Sequence, residues 1–158
     1  MSLYQNQKGT KSKIEDIVGD LLDAEKTAAM LNLIEFIRAN KIGIQHASGN
    51  SWKMTYKSKL LGYFHIHNGT WRFAHNRIYL DRYYSMEDCN LKTFIFEHIY
   101  VSECGNCQWT QNATKAGYMK PTDCGCWPLR IFNAHGEVLE HTKELIEYRK
   151  NCILEDSK

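Results

Sequence analysis

Four cysteines crowd one stretch of the chain, as Cys104-Gly105-Asn106-Cys107 and Cys124-Gly125-Cys126, with sixteen residues between the two pairs. Thiolates are soft ligands, and zinc takes four of them in a tetrahedron. A Cys-x-x-Cys turn presents two sulfurs to one ion, and Gly105 helps the backbone wrap. The second pair has a single residue between its sulfurs, and Gly125 eases that tighter geometry. A loop of this length without an apolar pattern needs something to pin it. Cys104, Cys107, Cys124 and Cys126 are therefore expected to hold a structural zinc ion. Such binding contributes roughly 10–16 kcal/mol in small peptides.

Other readings of the cysteines stay open. A partial site could recruit His98, His135 or His141. Cys104 and Cys107 could form a dithiol redox pair, although such pairs usually open a helix that follows a strand, and here a helical pattern precedes them. An iron–sulfur cluster or unpaired thiols complete the set. Cys89 and Cys152 fall on predicted helices and read as core or half-buried thiols.

A second group of residues offers recognition chemistry. Across residues 52–82, Lys53, Lys57, Lys59, Arg72, Arg77 and Arg82 stand against one acid, Asp81. Strand periodicity puts Tyr63, His65, His67 and Arg72 on one face. Lys53, Tyr63, His65, His67 and Arg72 thus make a candidate ligand or nucleic-acid face, with Tyr63 as a stacking platform. A plainly solvated face is the simpler reading. His46, His65 and His67 as a second metal site lack a supporting carboxylate. His75 lies on the apolar side and reads as a hydrogen-bonded core histidine. The alternative is a pocket shared with Trp52, Tyr56 and Trp71.

Catalytic signatures are missing. The chain has no Gly-x-Ser-x-Gly elbow, no phosphate-binding glycine loop, no dinucleotide fingerprint and no His-Glu-x-x-His. This favours a binding module over an enzyme.

These residues need elements to position them. Ile14, Ile17, Val18, Leu21 and Leu22 recur at helical spacing, and Met30, Leu33, Ile34 and Ile37 repeat it. Asp23 can cap a second helix, which favours a break there, and Asn40 is a plausible stop. After Ile42 the period becomes two. Trp52, Met54 and Tyr56 alternate with polar residues, and runs 60–67 and 70–75 flank Asn68-Gly69. That dipeptide is a strong hairpin signal, because a type I′ turn needs positive φ at both central positions. The register then places Gly62, Phe64, Ile66, Trp71, Phe73 and His75 on one apolar face. A three-residue loop at 57–59 would set Tyr56 opposite Leu60 and Trp52 opposite Phe64. Ile78 and Leu80 suggest a further strand. Ser85-Met86-Glu87-Asp88 resembles a capping box, ahead of helically spaced Leu91, Phe94, Ile95, His98 and Ile99. Leu129 and Ile131 suggest a short strand. A last helix is expected over 136–151, with Val138, Leu145, Ile146 and Cys152 inward.

The bulk composition sets the frame. At 158 residues the chain suits one domain. The expected layout is a disordered tail over 1–11 and a single domain over 12–158 that includes the cysteine loop 104–126. A net charge of +2 does not by itself argue for nucleic acid. No run reaches membrane-spanning length, so no membrane partner is expected. The chain opens without a secretory signal pattern, so a cytoplasmic setting is expected. Reducing conditions there favour metal or redox roles for paired cysteines over disulfides.

The segment from Cys104 onward resembles the tail of a family of small, uncharacterised bacterial proteins of Gram-positive anaerobes. That family has a Cys-x-x-Cys, a loop, a later cysteine, a strand and a closing helix. The corresponding residues here are Cys104, Cys107, Cys124 or Cys126, Leu129–Asn133 and the helix through Tyr148. Trp52-Lys53-Met54-Thr55-Tyr56-Lys57 is similar to the family's first strand. The resemblance implies no specific activity. More distantly, the order of elements is similar to α+β domains of the YjbR and YdhG type, which implies a fold only.

The expected fold is α+β. It is a three- to four-stranded antiparallel meander packed on N- and C-terminal helices, with a zinc-stapled loop. The expected function is binding of a protein, a small molecule or a nucleic acid, with zinc structural. A redox or metal-dependent enzyme using Cys104 and Cys107 is the alternative.

Overall fold

The computed structural model describes residues 13–75, 80–99 and 129–158. The cysteine segment 104–126 and the N-terminal tail lie outside the described residues. The fold is α+β, built on a five-stranded antiparallel sheet in the order β1-β2-β3-β4-β5. In chain order the elements are α1 (Ile14–Leu21), α2 (Ala24–Ala39), β1 (Gly43–Ser48), β2 (Ser51–Tyr56), β3 (Lys59–His67), β4 (Thr70–His75), α3 (Leu80–Ser85), α4 (Asn90–Glu97), β5 (Leu129–Phe132) and α5 (Gly136–Glu155). The chain divides into two compact units. One takes the residues up to Phe73 and from Phe132 onward, and the other runs from Ala74 to Ile131. Among the described residues no helix is long and apolar enough to cross a membrane.

In the first unit the helical break falls where the cap residue stands. The backbone N–H of Lys26 donates to Asp23 Oδ1 at 2.9 Å, and this satisfies one orphan donor of α2. The Lys26 ammonium also bonds the Asp23 carboxylate. That hydrogen bond, together with the Lys26 backbone N–H, holds the carboxyl below the ordinary aspartate value. Arg38 Nε donates to Glu15 Oε1 at 2.9 Å and ties α2 back to α1. The left-handed residue after α2 is Lys41, with φ 59°, rather than Asn40. Asn40 closes the helix differently, donating from its side chain to the Phe36 carbonyl at 3.0 Å. Met30, Leu33, Ile34 and Ile37 are buried as their spacing predicts.

β1 is one strand more than the sequence suggests. Ile44 is its only large apolar residue, and β1 lies at the edge of the sheet beside β2, so alternation is weak there. Asn68 and Gly69 take φ 50° and 69° and form the expected hairpin turn. The β2–β3 turn differs from expectation. Lys57 and Ser58 alone make it, both at positive φ (47° and 63°). Tyr56 therefore pairs with Lys59, not Leu60. An irregularity then intervenes: Thr55 pairs with Leu60 and Met54 with Gly62, leaving Leu61 as the extra residue of a bulge. The bulge restores the expected partnership of Trp52 with Phe64. Trp52, Met54, Phe64, Ile66, Trp71 and Phe73 are all buried. Tyr56 is only half-buried, and its ring faces the Lys150 ammonium at 5.4 Å. Helix α5 packs on α2 and β3. It buries Leu139 where Val138 was expected, with Leu145, Ile146, Arg149 and Cys152 below.

In the second unit Leu80 opens a helix rather than belonging to the expected strand, while Ile78 lies outside the described residues. The capping box is also not formed. The Ser85 hydroxyl donates to the Arg82 carbonyl at 3.1 Å, closing α3 instead of capping α4. Asp88 pairs with Lys92 at 3.0 Å, and α4 starts after Cys89. Cys89 is exposed, contrary to expectation, while Cys152 is buried. His75 is a core histidine, 1% exposed, with the Tyr83 hydroxyl 3.0 Å from its Nε2.

Candidate functional site

Two of the three hairpin tips of the first unit, β1–β2 and β3–β4, lie at the same end of the sheet. Ser51, the first residue of β2, pairs with His65, near the last residue of β3. The Ile66 N–H donates to the Asn50 carbonyl at 2.9 Å, extending this join into the β1–β2 tip. Gly49, at φ 51°, lets that tip reverse, and its carbonyl lies 2.6 Å from His46 Nε2.

The far side is set by Asn133. Its side-chain Oδ1 accepts from the Trp71 N–H, and its own N–H donates to the Trp71 carbonyl, both at 2.9 Å. Asn133 holds a left-handed φ of 43°, a conformation that Asn tolerates better than most residues. This reciprocal pair fixes the position of the preceding residue, Phe132. Phe132 is 51% exposed, one of only two large apolar side chains so exposed among the described residues.

Between these walls lies a groove of about 580 Å³, within the range typical of small-molecule sites. It is lined by residues of both tips, with His65, His67 and Arg72 among them. Trp71 and Ile66 supply buried apolar surface, and Phe132 supplies exposed aromatic surface. Ser51, Asn68 and Thr70 add short polar side chains. Among the described residues that line it, none is Asp or Glu. Among those described residues one guanidinium and two imidazoles are the titratable side chains.

His65 is held from two sides. Its Nδ1 and the Ser51 Oγ share a hydrogen bond of 2.7 Å. Its ring stacks on Tyr63 at a centroid distance of 6.0 Å and an angle of 26°. Tyr63 in turn pairs across the strands with Lys53. Three of the five sequence candidates, His65, His67 and Arg72, thus share the groove. Lys53 and Tyr63 lie farther along β2 and β3 and do not line it.

Sequence reasoning did not identify Phe132 or the tip residues 48–51 as part of a site, and it placed Trp71 only in an alternative pocket with His75, Trp52 and Tyr56. The Asn-Gly signal located one tip, but no local pattern connects residue 132 to residues 48–51.

The metal candidates are placed only in part. Cys104, Cys107, Cys124 and Cys126 lie outside the described residues. His98 Nδ1 bonds the Phe94 carbonyl at 2.8 Å, and His135 Nδ1 bonds the Asn133 carbonyl at 3.0 Å. His141 sits between Glu144, at 3.0 Å, and Glu137, at 3.7 Å. Among the described residues no group of three or more His, Cys, Asp or Glu side chains is arranged to hold a metal ion. That covers the idea of a site at His46, His65 and His67.

No family model, curated protein or solved structure matches this chain.

Proposed function

We propose that this protein is a binding module that recognises an anionic ligand in the groove at the hairpin end of its sheet. We also propose that Cys104, Cys107, Cys124 and Cys126 hold a structural zinc. The reading rests on one observation: Arg72, His65 and His67 line a single groove whose described lining residues include no Asp or Glu. Arginine presents a planar fork of donors that matches carboxylate and phosphate oxygens. A concave, partly apolar setting lowers the local dielectric and strengthens each such contact relative to open water. Binding rather than catalysis suits the missing catalytic sequence signatures.

The zinc rests on ligand type and spacing alone. A cytoplasmic setting fits it, because reducing conditions keep thiols available to a metal.

The test of the groove uses inorganic phosphate as probe, monitored by backbone amide NMR. Shifts are expected at residues 48–51, 65–72 and 132, and Arg72→Glu is expected to remove them with the fold intact. Absence of shifts, or shifts confined elsewhere, overturns the reading.

A second reading has one observation in its favour. Lys53, Tyr63 and His65 continue from the groove along the strands, as a track for a single-stranded nucleic acid would. Its signature is affinity that falls steeply with salt and with Lys53→Glu.

A further inference from the structure

We propose that the end of the sheet opposite the groove is a docking surface for the phosphate backbone of duplex nucleic acid, carried by Lys41, Lys57 and Lys59 with Lys150 beside them. The groove plays no part in this surface.

Pairing brings the lysines together. Gly43 pairs with Thr55 where β1 begins and β2 ends, so Lys41 and Lys57 each stand two residues beyond the same rung. Lys59 pairs with Tyr56 on the far side of the β2–β3 turn. Helix α5 adds Lys150, whose ammonium lies 3.1 Å from Asn40 Oδ1 and 5.4 Å from the centre of the Tyr56 ring. Asn40 and Tyr56 are the chain neighbours of Lys41 and Lys57.

These charges are available. Lys41, Lys57 and Lys59 are exposed, and none of their ammonium groups enters an ion pair with a described residue. The chain carries no Asp or Glu from Phe36 to Leu80, so the first four strands offer them no carboxylate. On the helix side Glu147 stands one turn before Lys150.

The backbone gives an independent sign. Lys41 and Lys57 take φ of 59° and 47°. Glycine or asparagine fits that region better, and lysine there lowers stability. Residues held in unfavourable conformations concentrate at functional positions. Two strained positions, both lysine and both at one end of the sheet, point to a use for the charge.

The chemistry of the patch selects the partner. Lysine is a compact point charge on a flexible stem, suited to a dense line of phosphates rather than to the forked geometry of single carboxylates. A duplex carries a charge about every 1.7 Å along its axis. Tyr56, the aromatic ring beside these lysines, is half-buried and faces the Lys150 ammonium, so it offers no open platform for unpaired bases. Membrane docking combines such charge with buried apolar surface. Leu31 and Phe132, the large exposed apolar side chains among the described residues, belong to the middle of α2 and to the groove.

The experiment titrates the full chain into a short fluorescent DNA duplex and reads anisotropy. Competitors are a duplex of unrelated sequence, a single-stranded oligothymidylate, phosphatidylserine vesicles and polyglutamate. The unrelated duplex is expected to compete as well as the first. Affinity is expected to fall about sixfold to tenfold for each doubling of salt, as three or four phosphate contacts would dictate. Lys57→Gly and Lys59→Gln are each expected to weaken binding and to lower the salt slope by about one. Lys57→Gly is also expected to raise the denaturation midpoint, so its weaker binding is not a loss of fold. Wild-type binding by either variant, or no binding of the duplex at all, overturns the inference. Stronger competition by oligothymidylate assigns the surface to a single strand, by vesicles to a membrane and by polyglutamate to an acidic protein, and each of these overturns it.

Discussion

Ser51 and His65 face each other across β2 and β3, and the Ser51 hydroxyl lies 2.7 Å from the imidazole Nδ1. A cross-strand pair of this kind holds a ring that lines the groove, so the orientation of a recognition residue depends on a residue of the neighbouring strand. Ser51→Ala is expected to lower stability by about 0.5–1.5 kcal/mol, the net value of one side-chain hydrogen bond. It is also expected to weaken phosphate binding. Urea melts read the first effect. A ¹⁵N imidazole spectrum of His65 that does not change in the variant would show that the bond is not made in solution.

Asn133 plays the matching role on the other wall, bonding Trp71 through both its side chain and its backbone. Asn133→Ala leaves the Trp71 N–H without its acceptor and puts at φ 43° a residue that tolerates the left-handed region less well than Asn. The expected cost is about 1–3 kcal/mol, because a donor left unmade loses its full desolvation term. Faster hydrogen exchange at the Trp71 amide would locate the damage. An unchanged amide would contradict the clamp.

The β2–β3 turn carries two non-glycine residues in the left-handed region, Lys57 and Ser58. L-residues there cost about 1–2 kcal/mol each, and glycine avoids most of it. Ser58→Gly is therefore expected to stabilise the protein by about 0.5–1 kcal/mol, after allowing for the freedom glycine adds to the unfolded chain. Denaturation midpoints test this, and a destabilised variant would mean that the turn adopts another geometry.

Acid should weaken the α1–α2 junction. The Lys26 side chain and backbone hold the Asp23 carboxyl below its ordinary value of 3.8. A folded-state value below the unfolded one contributes stability above that ordinary value, and the contribution is lost as pH falls through the lowered value. Asp23→Ala should therefore be less stable than wild type near neutral pH, with a melting temperature lower by a few degrees. The gap should narrow as the pH falls through the lowered folded-state value, since below it the carboxylate is protonated in both states. A gap that widens in acid would reverse the assignment.

Metal analysis decides the cysteines. One equivalent of zinc per chain is expected, with four thiols protected from titration. Cys107→Ser and Cys124→Ser should each release the metal and lower stability. A metal-free protein whose Cys104 reacts readily and oxidises reversibly with Cys107 would indicate redox chemistry instead.

Much of this architecture was legible in the residues. Asp23 broke the helical pattern because its side chain competes with helix propagation and caps α2. Asn68-Gly69 set the β3–β4 hairpin because few other pairs tolerate two positive φ values. Other features were not legible. β1 has too few apolar residues to alternate. Lys57-Ser58 carries no glycine or asparagine to announce a two-residue turn, so the bulge at Leu61 could not be foreseen. His65, His67 and Arg72 stood out by type, but Phe132 did not, since an aromatic residue in a strand reads as core. The groove is assembled from segments far apart in the chain, and only pairing across the sheet brings them together.

The division of labour between the buried rows and the two loops has an evolutionary consequence. Folding information resides in Trp52, Met54, Phe64, Ile66, Trp71 and Phe73, all inside. Most of the polar residues that line the groove sit at or beside the reversals, where exchanging one short side chain for another leaves that interior untouched. Such a frame can acquire a new binding preference by point substitutions at Asn50, Asn68 or Thr70 without passing through an unfolded ancestor.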